Sequence, residues 1–162
     1  MSWRRMPRWI LLLCIMLLTA CASPPAQNPL GVAEWSGRLV IQVLNDPPES
    51  LSASFELQGS AQTGQMILLS PIGTSLARLQ WQPGMASLEQ GQQQVQSASL
   101  EQLAARLTGT ELPIAALFEW LAGRSADAPG WQIDLSSREQ GRITAERTRP
   151  APITRLRIVL DR

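Results

Sequence analysis

Carboxylates are the main candidates for chemistry in this 162-residue chain, because the sequence contains no His, Lys or Tyr. The usual bases and amine nucleophiles of acyl transfer are therefore missing, as are the imidazole groups that bind many transition metals. Two carboxylates can still act together as acid and base. However, Glu56, Glu89, Asp134 and Glu146 fall on the polar side of alternating patterns, which is typical of a solvated face. We therefore predict that the protein is not an enzyme, and we expect no catalytic residues, cofactor or metal.

The two cysteines, Cys14 and Cys21, lie in or next to an apolar segment near the N-terminus. Three arginines precede this segment, WILLLCIMLLTA, at residues 9–20. The segment is short compared with the roughly 20 apolar residues that span a bilayer. A basic stretch followed by a short apolar run is typical of a cleaved signal peptide. We predict a signal peptide at residues 1–20, so Cys14 is removed with it.

Cys21 closes the sequence LTAC, which resembles the lipobox of bacterial lipoproteins. In such proteins the cysteine is acylated and becomes the new N-terminus. Several acyl chains on one residue give stable anchoring, since each buried CH₂ contributes about 0.8 kcal/mol. We predict that Cys21 is lipidated; the alternative is an ordinary secretory signal followed by a chance cysteine. Ala22 stands where aspartate often causes inner-membrane retention, which favours anchoring at the periplasmic face of the outer membrane of a Gram-negative bacterium.

The stretch ASPPAQNPLG that follows is rich in proline and small residues, and this composition is typical of a flexible tether. We predict a tether at residues 21–33 and a single domain at residues 34–162, a length that suits one hydrophobic core. After loss of the signal peptide, acidic residues slightly outnumber basic ones. The sequence therefore gives no support for nucleic-acid binding.

Alternation of apolar and polar residues dominates the predicted domain and indicates β-strands. It is clearest in WSGRLVIQV, SLSASFELQ, SLARLQWQ, GWQIDLSS and TRLRIVLDR. One apolar face and one polar face are typical of an antiparallel sheet, and QPG at residues 82–84 and EQG at residues 89–91 predict hairpin turns. QMILLS at residues 65–70 departs from the alternation. We expect this strand to be covered on both sides or to meet another apolar surface.

Two segments with helical periodicity interrupt the strands. The first begins at the N-cap Ser99, with Gln102 as its capping-box partner, and ends at Gly109. The second begins at Pro113 and ends at Gly123. Each carries one apolar stripe suited to covering a sheet. The stripes are Leu100, Leu103, Ala104 and Leu107 in the first helix, and Ile114, Leu117, Phe118 and Leu121 in the second.

These elements predict an α+β fold, in which a curved antiparallel sheet forms an incomplete β-barrel and short helices cover its apolar side. The apolar side chains either fill that side as a core or leave an acyl-chain cavity. Periodicity alone does not distinguish these alternatives. The predicted lining residues are Leu39, Ile41, Phe55, Leu57, Met66, Leu68, Leu79, Trp81, Leu103, Leu107, Leu117, Leu121, Trp131, Ile133, Leu156 and Ile158.

The sequence Ser70-Pro71-Ile72-Gly73 predicts a type I turn, with proline in its second position and glycine in its fourth. Ile72 then occupies the third position, where Asn, Asp or Ser is usual. A solvent-facing turn gives a stiff apolar side chain no obvious structural role. The alternative is that Ile72 folds back under the sheet edge.

Five stretches occur in the order found in the LolB family of outer-membrane lipoproteins: WSGRLVIQV, LLSPIGTSLARLQW, LTGTELPIAALFEWLAG, GWQIDL and LRIVLDR. The resemblance runs from about Trp35 to the C-terminus, and SPIGTSLA and LPIAALFEWLAG are its most specific parts. It implies an incomplete antiparallel barrel, lidded by helices, that holds the acyl chains of other lipoproteins. It also implies that Pro71, Ile72 and Gly73 form a loop that contacts the membrane or drives cargo into it.

The resemblance implies that the protein, as a monomer, accepts acylated lipoproteins from a periplasmic carrier, LolA, and inserts them into the outer membrane. Two other hypotheses stay open: a lipid-anchored scaffold whose core is filled, and a lipoprotein that binds a free lipid. We expect Leu57→Glu or Leu79→Glu to weaken acyl binding. We expect Ile72→Glu to impair release into membranes while leaving the fold intact.

Overall fold

A computed structural model describes residues 33–161, and nine strands within this range form one antiparallel sheet. The strands are β1 (Glu34–Leu44), β2 (Glu49–Gly59), β3 (Gly64–Leu69), β4 (Ser75–Gln82), β5 (Met85–Gln90), β6 (Gln93–Ser97), β7 (Trp131–Asp134), β8 (Arg142–Arg147) and β9 (Ile153–Leu160). The predicted signal peptide, the lipidation site Cys21 and nearly all of the tether lie outside the described residues. Those three assignments stay predictions.

The strand order is β6-β5-β4-β3-β2-β1-β9-β8-β7, so the sheet is curved but not closed, and β6 and β7 are its two edges. β1 lies in the middle and pairs with β2 on one side and β9 on the other. The predicted α+β class and open, barrel-like sheet are therefore confirmed. Every strand pair is antiparallel, so alternate hairpins lie at opposite ends of the sheet.

One end of the sheet is here called the turn end, because it carries the turn that contains Ile72. β1, β3 and β8 finish at this end, and β2, β4 and β9 begin there. It therefore carries the Ser70–Thr74 turn between β3 and β4, the C-terminal residue of β8, Arg147, and the start of β9. The turn between β4 and β5, which precedes Met85, lies at the opposite end.

Helix α1 (Leu100–Thr108) begins as predicted, because the Ser99 side chain accepts a hydrogen bond from the Gln102 backbone N–H. The other half of the predicted capping box is absent from these residues. The Gln102 side chain instead accepts a hydrogen bond from Ser97 Oγ, which in turn accepts one from the Ser99 N–H. α1 packs against β5 and β6. It therefore covers the half of the sheet that ends at the β6 edge.

Helix α2 (Ile114–Leu121) is more apolar, and Pro113 occupies its N-cap position, so the helix begins one residue later than predicted. Its backbone approaches the strands less closely than that of α1, and large side chains fill the space between helix and sheet. Five of its eight residues are buried: Ala116, Leu117, Phe118, Trp120 and Leu121. Among residues 33–161, neither this helix nor any other is long and apolar enough to cross a membrane.

The alternation of apolar and polar residues gave no prediction for β6 or β8. β6 has Val95 as its one large apolar residue, so alternation is weak there. In β8, Ile143 and Ala145 point inward, but the next inward position is Arg147, which interrupts the apolar series. For β3, the alternative of full coverage on both sides does not agree with the structure, since Ile67 and Leu69 on its outer side are only partly buried. The other alternative, contact with another apolar surface, stays a prediction.

Candidate functional site

The Ser70–Thr74 turn presents Ile72 to solvent. The Gly73 N–H donates to the Ser70 carbonyl at 2.9 Å, which closes the predicted four-residue turn. The Ser70 N–H donates to the Thr74 carbonyl at 2.8 Å, and the Thr74 N–H donates to Ser70 Oγ at 3.1 Å. These bonds hold the backbone while the Ile72 side chain remains 89% exposed. The alternative that Ile72 folds back under the sheet is therefore wrong.

The surface beside Ile72 is also partly apolar. The register of β3 and β4 shifts between Leu68 and Leu69. Leu76 of β4 lies at this shift and is an exposed large apolar residue. Exposed apolar side chains are common singly, but a group of them beside a loop tip is typical of a contact surface. Sequence patterning predicted the exposed position of Ile72 in the turn and missed Leu76, whose polar-side position was the available signal.

The inner face of the sheet is an apolar core against which both helices pack. Of the predicted lining residues, most are buried and belong to one continuous cluster, while Met66, Leu107, Trp131 and Ile133 are partly buried and pack against it. The structure thus brings all the predicted lining residues to one face. These side chains are buried or partly buried against one another, and an open acyl-chain cavity enclosed by them is not shown within residues 33–161.

Aromatic side chains hold α2 over that face. The ring of Phe118 meets the edge of Trp35, at 5.6 Å between centroids, and that of Trp81, at 6.2 Å. Trp120 packs at 6.1 Å against Trp131 of β7. Aromatic pairs of this kind add to the stabilisation from burial of apolar area. α2 is therefore attached mainly through the ends of long side chains.

An open groove lies alongside α2. Its volume is about 520 Å³, and it is lined by Trp35, the turn at residues 59–62 and the helix residues Ala115, Ala116 and Phe118, among others. The C-terminal end of α2 is held by Arg138, whose Nε and Nη2 donate to the Leu121 carbonyl at 3.1 and 2.5 Å. α2 therefore has free space beside it and few backbone attachments.

The carboxylates singled out from sequence do not come together as a catalytic pair. Glu56, Glu89 and Asp134 are exposed on three different strands, and Glu146 pairs with Arg155 at 2.9 Å. Hydrogen bonds from the Ser136 side chain and backbone lower the pKa of Asp134 below its ordinary value of 3.8. No cluster of three or more metal-binding side chains occurs within residues 33–161. The carboxylates behave as a solvated face.

One functional candidate was missed from sequence. Arg147 is only 6% exposed and lies at the turn end of the inner face, among otherwise apolar and hydroxyl side chains. Its guanidinium carbon lies 5.8 Å from the ring centroid of Trp131. The available signal was its position two residues after Ala145, in phase with the inward-facing residues of β8.

Together these features define a class of protein: an open antiparallel barrel whose apolar inner face is covered by two helices and whose rim carries an exposed apolar turn. The family described as outer membrane lipoprotein LolB matches residues 34–159, which is nearly all of the described domain. The chain belongs to the LolB family.

Individual relatives agree with this assignment. A protein named outer-membrane lipoprotein LolB from Bordetella petrii is 32% identical over 149 residues, which cover 87% of this chain and 73% of the relative. Proteins of the same name match in Halorhodospira halophila, at 36% identity over 62% of this chain and 49% of the relative, and in Dechloromonas aromatica, at 28% identity over 80% of each. The predicted family is confirmed.

Proposed function

We propose that this protein is an outer-membrane lipoprotein that takes acylated lipoproteins from a LolA-like periplasmic carrier and inserts them into the outer membrane. The observation that carries the proposal is the combination, in one domain, of a helix-covered apolar face and a fully exposed isoleucine on a hydrogen-bonded turn. The carrier, the cargo and a monomeric state are parts of the proposal. Lipidated Cys21 would hold the domain at the membrane.

The apolar face is the proposed acyl-chain site. An acyl chain exposed to water is unfavourable by about 0.8 kcal/mol per CH₂, so a protein that transfers it must shield it throughout. The burial of this face beneath the helices supports a site that opens when a chain arrives, with α2 as the element that moves. Its aromatic attachments to Trp35 and Trp81 can be exchanged for contacts with the chain, and the groove beside it offers room.

The Ile72 turn is the proposed release device. Its rigid backbone and exposed side chain suit shallow insertion among lipid chains, where burial of an isoleucine contributes about 1.5–3 kcal/mol. The charge-free residues Pro71, Ile72 and Gly73 at the tip favour this contact. Because the turn stands at the rim of the sheet, insertion would bring the apolar face to the membrane surface. No energy source besides the more favourable burial of the chains in the bilayer is required.

The test follows an acylated lipoprotein from loaded carrier to this protein and then into liposomes. It uses residues 21–162, with Cys21→Ala to prevent anchoring, and the same residues carrying Ile72→Glu. We expect both to accept cargo and the Ile72→Glu chain to deliver it at least about tenfold more slowly, as loss of apolar burial of this size predicts. Circular dichroism should show the same fold for both.

A matched control is Met85→Glu, which places the same charge on an exposed apolar residue at the opposite end of the sheet. We expect this variant to deliver cargo at the parent rate. Equal impairment by both substitutions would show a general effect of charge and would remove the special role of the turn. Failure of the parent chain to accept any cargo would instead favour a scaffold with a permanently filled core.

A further inference from the structure

Arg147 is a buried cation with no anion beside it among the residues that the structure describes. The ion pairs within residues 33–161 are Arg124–Glu119 and Arg155–Glu146, both between well-exposed side chains, and Arg147 takes part in neither. An ionised group taken out of water is strongly unfavourable unless it is paired or fully hydrogen-bonded. A positive charge on the inner face of this sheet therefore needs an explanation.

Neutral groups accept hydrogen bonds from only some of the N–H donors of the Arg147 guanidinium. Nη2 donates to Thr110 Oγ1 at 2.6 Å and, more weakly, to Thr154 Oγ1 at 3.5 Å, while Nη1 reaches the Glu111 carbonyl at 3.4 Å. Nε is buried and has no hydrogen-bond partner. Since an arginine has five N–H donors, this side chain keeps donor capacity that its neighbours do not use.

The position of Arg147 indicates which ligand would use that capacity. The side chain follows Ile143 and Ala145 on the inner face, so an acyl chain lying along that face would end beside it. It also lies at the turn end, the same end that carries Ile72. The segment above it, Thr110–Glu111, joins α1 to α2 and would separate from it when α2 moves.

We infer that Arg147 binds the carboxyl oxygens at the head of an acyl chain whose hydrocarbon part occupies the inner face. This chemistry is shared by the carboxylate of a free fatty acid and by the ester carbonyls of an acylated lipoprotein. A guanidinium binds carboxylates through paired N–H groups, and carbonyl oxygens through single ones. The inference rests on the proposed function to the extent that both require an acyl chain to enter beneath α2.

The experiment measures binding of three probes of equal chain length, hexadecanoate, methyl hexadecanoate and hexadecan-1-ol, to the mature chain with Cys21→Ala. The binding of each probe is also measured for three variants. Arg147→Met keeps the length of the side chain and loses its charge, and Arg147→Lys keeps the charge. Arg157→Met changes an arginine on the exposed outer face of β9 and serves as the control. We expect Arg147→Met to weaken hexadecanoate binding at least about tenfold and to leave the alcohol within about twofold. Arg147→Lys should keep part of the preference, and Arg157→Met all of it.

The probes separate the two sources of the ligand. A loss confined to hexadecanoate indicates a free fatty-acid anion, whereas loss for both hexadecanoate and the methyl ester includes the esters of acylated cargo. Equal effects of Arg147→Met on all three probes, or none, would overturn the inference. Binding of the alcohol itself reports whether the inner face accepts chains, so failure of the proposed function would appear as no binding of any probe.

A second measurement avoids the variants, in case Arg147→Met does not fold. In a crystal structure of the parent chain with hexadecanoate, we expect the carboxylate within hydrogen-bond distance of the Arg147 guanidinium. A bound chain whose carboxylate lies elsewhere would overturn the inference while leaving acyl binding intact.

Discussion

Ile72 and Arg147 occupy the same end of one sheet, and each lies in the environment that its side-chain type usually avoids. Ile72 is an apolar residue in water, and Arg147 is a charged residue in the core. Neighbouring glycines show how the surroundings of the two residues differ. A Cβ added at Gly73, next to Ile72, would meet nothing within 4 Å. A Cβ added at Gly130, near Arg147, would overlap the Arg149 carbonyl oxygen. An exposed apolar tip leaves the fold almost unaffected, while a buried charge is part of its packing.

The largest expected difference concerns these two glycines. Both have positive φ, 81° at Gly73 and 76° at Gly130, which is unfavourable for any other residue by about 1–2 kcal/mol. Gly73→Ala should lower the free energy of unfolding by about that amount. Gly130→Ala should lower it by more than about 3 kcal/mol, because the backbone must also move. Urea unfolding followed by tryptophan fluorescence measures both. Equal losses would show that the surroundings of Arg147 are no more enclosed than the turn.

The next prediction separates the charge of Arg147 from its volume. Arg147→Ala should lower the free energy of unfolding by about 2–3 kcal/mol, since it leaves a cavity and removes the partner of Thr110. Arg147→Met should stay within about 1 kcal/mol of the parent, because an apolar side chain of similar length relieves the buried charge. Ile72→Ser should change stability by less than about 0.5 kcal/mol. A large loss in Arg147→Met would show that the charge itself stabilises the fold.

The smallest expected effect is that of pH. The hydrogen bond to Arg124 holds the pKa of Glu119 below its ordinary value of 4.5, and hydrogen bonds to Ser136 do the same for Asp134. A lowered pKa in the folded state contributes stability above the unfolded value, and this contribution is lost as pH falls through the folded value. Stability should therefore be nearly constant from pH 6 to 8 and decline only in acid below about pH 4.5. A transition near pH 6.5 would contradict this, since the chain has no His.

Much of the fold could be predicted from sequence because its signals are local. The apolar alternation of β1, β2, β4 and β9 predicted their inward faces, and the Ser99 cap predicted the start of α1. The turn at Ile72 was predicted from the residue preferences of its four positions. β8 was not predicted, because its inward-facing residues include an arginine. Without β8, the number of strands in the sheet could not be predicted. How the inward side chains of distant elements pack together could not be predicted either, because periodicity gives the direction of a side chain and says nothing of what it meets.

The sequence by itself determined the antiparallel, helix-covered character of the domain, the exposed apolar tip at residue 72 and membership of the family. Each depends on the identity and spacing of residues close together in the chain. Only the tertiary structure decided that α2 is held mainly by aromatic side chains and that Arg147 lies buried with no anion beside it in the described part of the chain. Those facts depend on residues far apart in sequence. The distances between them are set by the curvature of the sheet and the packing of the helices on it.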